Sequence, residues 1–329
     1  MLLIVSNTTD VTADFLQDIL KGGGYPTLRL NTDVFPLEPA LTLKWGKENG
    51  LEGLLVENNS EVRLEDIKTI WWRRPQDHGK SACDLIKDPQ AKIYAEKQIK
   101  DSLEIVQSIL YSRQDVLWVN HPNNNFRANA KLLQLEAASS LGFDVPDTIL
   151  SNEPKKLREF VQLYGEVVFK ANRRTAFFVD DDLVGFYTTQ LDLSALANDS
   201  SIRVTPVFLQ RMVKKWFELR VTVIGNRVFA ARINSQNFPE GILDWRKIPD
   251  EPGLWEAFSL DQATENRCKA LLERFGLHFG AIDLAITPEG RNVFFEINPN
   301  GQWAWLEIEA GLPMSEAFVE LFFETLHKH

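Results

Sequence analysis

Three polar residues near the end of the chain have the types and spacing to hold a hard cation: Asp283, Glu296 and Asn298. They lie on two stretches that alternate with period two, Phe279-Gly-Ala-Ile-Asp283-Leu-Ala-Ile286 and Asn292-Val-Phe-Phe-Glu296-Ile-Asn298, the pattern of half-buried strands. Ile282, Leu284 and Ile286 share one face and Ala281, Asp283 and Ala285 the other. Likewise Phe295 and Ile297 oppose Glu296 and Asn298. Thr287-Pro-Glu-Gly-Arg291 supplies turn residues, and a loop from Pro288 to Arg291 sets Asp283 directly opposite Glu296. Like charges at that spacing repel, so the pair calls for a cation. Two carboxylates and an amide oxygen are hard ligands that suit Mg²⁺, with waters and phosphate oxygens completing its octahedron. The plainer alternative is an ordinary hairpin with a solvated polar face.

The elements that must position this hairpin can be followed in order. Leu2–Ser6, Thr12–Lys21 and Thr27–Leu30 read as strand, helix, strand, with Asp10 or Thr12 as cap and Gly22-Gly-Gly24 as the stop. The glycine run follows a helix and opens none, so it is no dinucleotide fingerprint. Gly53–Glu57 and Glu61–Leu64 read as a hairpin, and Thr69-Ile-Trp-Trp-Arg-Arg-Pro75 as a buried strand ending in two arginines. Asp88–Ser112 is a long amphipathic helix with Ile93, Ile99, Leu103, Val106 and Leu110 inward. After Asn120-His-Pro122 a helix is expected from about Arg127 to Leu141, with Leu132, Leu133, Leu135 and Ala138 inward and Lys131 in its first turns. Pro154–Tyr164 is a helix and Glu166–Lys170 a strand. Ala171–Gln190, with Arg173, Arg174 and Asp180-Asp-Asp182, reads as a hairpin or flap. Val207–Val213 is a strand. Glu218–Ile224 and Val228–Ile233 flank Gly225-Asn226; a two-residue turn would put Arg220 and Arg232 on opposite faces, a bulged turn on the same one. Gly241–Pro249, with Asp244-Trp-Arg246, is loop. Asp261–Phe275 and Leu312–Leu326 close the chain as helices.

A chain of 329 residues exceeds one core. The reading is an α/β (α+β) protein in three parts: 1–120, 121–206 and 207–329. No apolar run approaches a membrane span. Cys83 and Cys268 stand apart with no metal-ligand spacing, which fits a reduced, cytoplasmic setting. The net charge of −10 argues against nucleic acid as a partner. An anionic ligand would need local basic patches, available at Arg73-Arg74, Arg173-Arg174 and Lys214-Lys215.

No Walker lysine motif is present, so a nucleotide would be held another way. Lysines on two elements can neutralise phosphates, a sheet edge can read adenine by backbone groups, and a metal pair can bridge the β- and γ-phosphates. In this arrangement the chain resembles the ATP-grasp ligases. Asn129-Ala-Lys131-Leu-Leu-Gln looks like their first nucleotide-lysine helix, Val168-Phe-Lys170 like the second lysine strand, and Gln210-Arg211-Met212-Val213 like the adenine hinge. Asp283 with Glu296-Ile-Asn298 matches their metal signature. The nearer likeness is to graspetide synthetases of the microviridin type, carried by Ile70-Trp-Trp-Arg-Arg-Pro75, Trp118-Val-Asn-His-Pro122, Glu218-Leu-Arg220, Ala230-Ala-Arg-Ile-Asn-Ser-Gln236 and Asp244-Trp-Arg246. One departure from the wider superfamily is that Lys170 is followed by Asn172-Arg-Arg-Thr-Ala-Phe177 in place of a glycine-rich flap.

The resemblance implies an ATP-grasp fold behind a pre-ATP-grasp domain, with ATP and Mg²⁺ as cofactors. Lys131, Lys170, Gln210–Val213 and Glu218 would hold the nucleotide, and Asp283, Glu296 and Asn298 the metal. Arg220 and Arg232 would stabilise charge on the transferring phosphoryl group and on the tetrahedral intermediate. Arg173, Arg174, Asp244 and Arg246 would meet the substrate. That substrate is implied to be a ribosomal precursor peptide with a leader and an acidic core, whose Asp or Glu carboxylates are activated as acyl phosphates and joined to Ser/Thr hydroxyls or Lys amines. A homodimer is compatible with it; nucleic acid and membrane are not partners. Two rivals are a ligase of the same fold that adds a free amino acid to a protein or carrier, and a non-catalytic nucleotide-binding module.

Overall fold

The computed structural model describes residues 1–57, 60–172, 176–179 and 182–324. Leu2–Ser6 lies parallel to Thr27–Asn31 on one side and to Thr69–Trp72 on the other, and Leu117–Val119 extends the sheet to four strands. Between the first two strands the helix Val11–Gly22 runs into the glycines, and Gly24 takes φ 73°, which a residue without Cβ adopts freely. The expected hairpin is Gly50–Glu57 with Ser60–Arg63, and Ala40–Gly46 adds a third antiparallel strand ahead of it. Pro89–Tyr111 is the long helix, capped by Asp88, whose carboxylate accepts from the Ala91 amide at 2.7 Å. Its buried stripe comprises Ile99, Val106 and Leu110; Ile93, expected inward, is exposed.

The helix expected over 127–141 is two helices, Pro122–Ala128 and Lys131–Ser140. Ala130 at ψ 98° leaves the helical region and makes Lys131 the first residue of the second helix. That rotation turns Leu132 and Leu133 outward and puts Gln134, Leu135, Ala137 and Ala138 inward. Thr189–Leu191, Val167–Phe169, Val207–Arg211 and Thr148–Ser151 form a four-stranded antiparallel sheet. Ahead of it Ala176–Val179 pairs with Asp182–Gly185, so the segment is a hairpin; Arg173, Arg174, Asp180 and Asp181 lie outside the described residues. A five-stranded antiparallel sheet, Trp255–Ala257, Arg227–Ile233, Phe217–Ile224, Phe279–Ile286 and Asn292–Asn298, carries the candidate hairpin at its edge. The closing helix narrows to Met314–Val319 with a wider turn at Glu320–Glu324. No helix among the described residues is long and apolar enough to cross a membrane.

One apolar cluster joins the beginning of the chain to its end. Leu2, Ile4, Leu16 and Trp71 of the parallel sheet and its helix pack with Phe279, Trp303, Phe318 and Phe322. Trp71 lies 5.4 Å from Phe318 between ring centroids, in the range where aromatic pairs attract beyond their buried area. A polar pin crosses the same seam. Asn120, 1 % exposed, donates from Nδ2 to the carbonyls of Phe279 (2.8 Å) and Pro299 (3.0 Å), and its Oδ1 accepts from the amides of His278 (2.8 Å) and Phe279 (2.9 Å). It thereby ties the start of one strand of the hairpin to the end of the other. Replacing it by alanine strands these groups where water does not reach, at about 1–3 kcal/mol each. Asn120→Ala should therefore lower the calorimetric melting temperature by several degrees; an unchanged melting curve would show that the pin is idle.

Candidate active site

Asp283 stands opposite Glu296, and Ala281 opposite Asn298, so the three residues do share a face. The route to that register differs from the expectation. The loop runs from Thr287 to Arg291, and Phe295 bulges out of the ladder between the Asp283–Glu296 and Leu284–Phe294 pairs. Phe294 therefore takes the core position expected for Phe295. Phe295 turns to the polar side, where Lys170 Nζ lies 4.4 Å from its ring centroid.

Each carboxylate has its own counter-ion. Arg220 sits across from Asp283 on the neighbouring strand and donates from Nη1 to Oδ1 at 2.8 Å. Lys131 reaches in from its helix terminus and donates to Glu296 Oε2 at 2.5 Å. Burial pushes the Glu296 carboxyl up, but Lys131, then Lys170 and Arg246, outweigh it and hold the group at about 2. The strand between Glu296 and Asn298 is itself gripped: Gln134 accepts from the Ile297 amide at 3.1 Å and donates to its carbonyl at 2.9 Å. Beyond it, the fully buried Arg73 bonds the Asn300 carbonyl and, at 2.6 Å, Gln302 Oε1, and its Nε lies 3.3 Å from Asp10. Asp10, a candidate helix cap, makes no cap bond and serves that arginine instead.

A slot opens beside the carboxylates, lined by Lys131, Lys170, Gln210–Val213 and Glu218. The Lys170 ammonium has no hydrogen bond or ion pair among the described residues; burial, then the neighbouring Lys131, lowers it to about 8. At the hinge Met212 donates to the Glu166 carbonyl at 2.9 Å, while the Val213 amide has no protein partner among the described residues and remains available to a base edge. Arg211 pairs outward with Asp147 at 3.0 Å, leaving only its backbone at the slot. Glu218 is buried, which raises its carboxyl, against the pull of Lys215, whose Nζ donates to it at 2.8 Å. Lys215 was visible in the sequence only as half of a basic pair; Gln134, Arg73 and Asn120 each sat inside a motif but carried no sign of their partners.

The remaining candidates divide. Gly225-Asn226 is a two-residue turn, so Arg232 faces away from Arg220: it lies opposite Leu219, stacks on Phe217 at 5.2 Å and pairs with Glu256. Arg246 does reach the site, but Nε and Nη2 fork onto Asp244 at 2.7 and 2.5 Å. Although burial pushes Asp244 up, that fork and the Thr188 amide keep it down at about 2.

Among the described residues no three His, Cys, Asp or Glu side chains gather as a metal site. The donor set nevertheless fits Mg²⁺. Asp283 Oδ2 and Glu296 Oε1 have no protein partner among the described residues, and both flank the amide oxygen of Asn298, which accepts one bond, from the Asn300 amide at 3.0 Å. Two hard anionic oxygens and an amide on one face suit a cation that keeps waters and phosphate ligands.

Two antiparallel sheets closing on a slot with two lysines, a hinge with a free amide and two carboxylates at its inner end define the ATP-grasp class. The profile of the MvdD pre-ATP-grasp domain matches residues 1–125. Among solved structures the chain is similar to a RiPP-associated ATP-grasp ligase of Chryseobacterium gregarium in complex with ADP and a leader and core peptide, at 27% identity and a TM-score of 0.89, over 98% of this chain and 96% of that one. It is similar to the macrocyclase MdnC of Microcystis aeruginosa MRC bound with the precursor peptide MdnA (27%, TM-score 0.83, 99% and 100% covered). The macrocyclase MdnB of the same organism matches at 26% and 0.75, with 98% of both chains covered. No curated protein matches by sequence. Residues 1–125 thus match an MvdD-type pre-ATP-grasp domain, and the chain as a whole shares its fold with RiPP-associated ATP-grasp ligases.

Two outcomes follow from the electrostatics. An anion at Lys170 favours its charged form, so ADP affinity measured by calorimetry should fall as pH rises through about 8. Lys170→Met should bind more weakly and lose that pH dependence; an equal slope in the variant assigns it to another group. Neutralising Asp283 uncovers a buried arginine, so Asp283→Asn should lose up to about 3 kcal/mol of stability by itself, and an unaltered melting temperature would show the Arg220 pair to be dispensable.

Proposed function

We propose that the protein is an ADP-forming ligase that activates Asp or Glu side chains of a ribosomally made precursor peptide and closes them into rings. The carrying observation is that two cavities meet at one place. The nucleotide slot and a cleft of about 1460 Å³ share Lys131, Trp245, Arg246, Asp283 and Glu296 on their walls. The phosphate end of the slot therefore opens into a space that admits a peptide. The γ-phosphoryl of ATP passes to a peptide carboxylate, giving ADP and an acyl phosphate. A Ser or Thr hydroxyl then forms an ester, or a Lys amine an amide, and inorganic phosphate leaves.

Lys131 and Lys170 hold phosphate oxygens, the Val213 amide and the rest of the hinge read the base, and Glu218 meets the ribose side of the nucleotide. Mg²⁺ at Asp283, Glu296 and Asn298 would neutralise and orient the β- and γ-phosphates. Arg220 is placed to stabilise charge on the transferring group. Arg246, with its fork on Asp244, retains Nη1 for substrate, and Arg173 and Arg174 belong to the same proposal as peptide contacts. No enzyme nucleophile is required. The same reading places the enzyme in the cytoplasm, with Cys83 and Cys268 as buried free thiols, and allows a homodimer, which sedimentation would decide.

Expression with the acidic, Ser/Thr/Lys-containing peptide encoded beside it tests the reading by mass spectrometry. The peptide should lose one water per bond and release one ADP for each. Mass gain would point to conjugation of a free amino acid, and no peptide-dependent ADP release to a binding module. Glu296→Gln should reduce turnover about 100-fold or more at saturating Mg²⁺; wild-type turnover by that variant would remove the residue from the metal site.

A further inference from the structure

Four cationic side chains line the wide cleft beside the carboxylates: Arg74, Lys131, Arg220 and Arg246. Three are committed, to Glu296, Asp283 and Asp244. Arg74 alone has no side-chain hydrogen bond or ion pair among the described residues. Its backbone is nonetheless fixed: the amide donates to the Val5 carbonyl at 3.3 Å, and the carbonyl accepts from Asn7 Nδ2 at 2.6 Å. The neighbouring Arg73 is wholly buried and holds the loop at Asn300 and Gln302, whereas Arg74 is only partly buried and stands on the cleft wall near those residues. The rigid attachment and the free guanidinium belong to adjacent residues of one motif.

The cleft also has acidic lining, with Asp250 and Glu251 exposed and Glu309 engaged in accepting from the Leu254 and Trp255 amides. An acidic side chain of a substrate is repelled by Asp250 and Glu251 and attracted to Arg74, while a lysine prefers the two carboxylates. We propose that Arg74, contributed by the first domain, is the anchor that selects and orients an acidic side chain of the bound peptide. Guanidinium suits the role because it can bond a carboxylate through two parallel N–H groups. The inference rests on the peptide-ligase reading.

The test measures binding separately from turnover. Fluorescein-labelled precursor peptide from the experiment above, and a version with every core Asp and Glu changed to Asn and Gln, are titrated against wild type, Arg74→Met and Arg74→Lys with ADP and Mg²⁺ present. Wild type should prefer the acidic peptide at least tenfold. Arg74→Met should lose that preference with unchanged ADP affinity and melting temperature, and Arg74→Lys should regain part of it. No preference in the wild type, or an undiminished one in Arg74→Met, overturns the proposal. Equal weakening toward both peptides also overturns it, since that marks a structural role. Water loss from the same peptide is read independently, so a chain that binds the acidic core through Arg74 without crosslinking it would refute the ligase reading alone.

Discussion

Two carboxylates, Asp283 and Glu296, face each other across one edge hairpin, and much of the surrounding structure exists to make that tolerable. At a separation of about 5 Å and an effective dielectric of about 20 they repel by roughly 3 kcal/mol. A soluble hairpin would relieve this by turning the pair to water. Here the hairpin instead borders the nucleotide slot, so relief comes from cations of the chain itself. Arg220 is brought by sheet register and Lys131 by the break at Ala130, which starts a helix where the lysine can reach Glu296. An uninterrupted helix over 127–141 would not place Lys131 at a helix start.

Holding the hairpin is shared by distant parts of the chain. Gln134 bonds both backbone groups of Ile297, the residue between Glu296 and Asn298. Asn120 bonds both backbone groups of Phe279 at one end and the Pro299 carbonyl at the other. Arg73 holds Asn300 and Gln302 just beyond. These are amide and guanidinium groups used as rigid spacers: each satisfies buried backbone groups that would otherwise cost free energy, and together they fix the hairpin that carries Asp283, Glu296 and Asn298. The first domain is thus a structural part of the site, joined to it by the aromatic seam of Trp71, Phe279, Phe318 and Phe322.

Much of this was legible in the residues. Alternation located the hairpin and its faces, because period two survives even when a loop length is misjudged. The loop was in fact longer and the bulge at Phe295 compensated, a cancellation that no pattern of apolar residues announces. The break at Asn129-Ala130 was hidden for a related reason: alanine has high helix propensity, and tertiary contacts at Gln134 and Lys131 overrode it. The choice between faces for Arg232 turned on a two-residue turn, which the sequence left open. Ion pairing was the least legible. Nothing in Asp244-Trp-Arg246 indicates that the arginine folds back onto the aspartate two residues before it.

The chain carries ten more acidic than basic side chains, yet Lys131, Lys170, Lys215 and Arg246 line the slot. Screening reconciles the two, since at physiological salt the Debye length is about 8 Å, so only charges near the slot act on a ligand there. Within it, Lys215, Arg220, Lys131 and Arg246 are each neutralised by a carboxylate, so none exerts a strong field at a distance. Lys170 differs: it forms no ion pair among the described residues, its Nζ sits on the Phe295 ring, and burial, then Lys131, disfavour its ammonium by more than the nearby Glu296 favours it. A ring face returns only about 0.5–2 kcal/mol to a cation, less than a carboxylate at contact. The slot therefore discriminates by position. An anion gains little at the paired cations unless it displaces a protein carboxylate, and gains most at Lys170, whose ammonium no carboxylate among the described residues bonds.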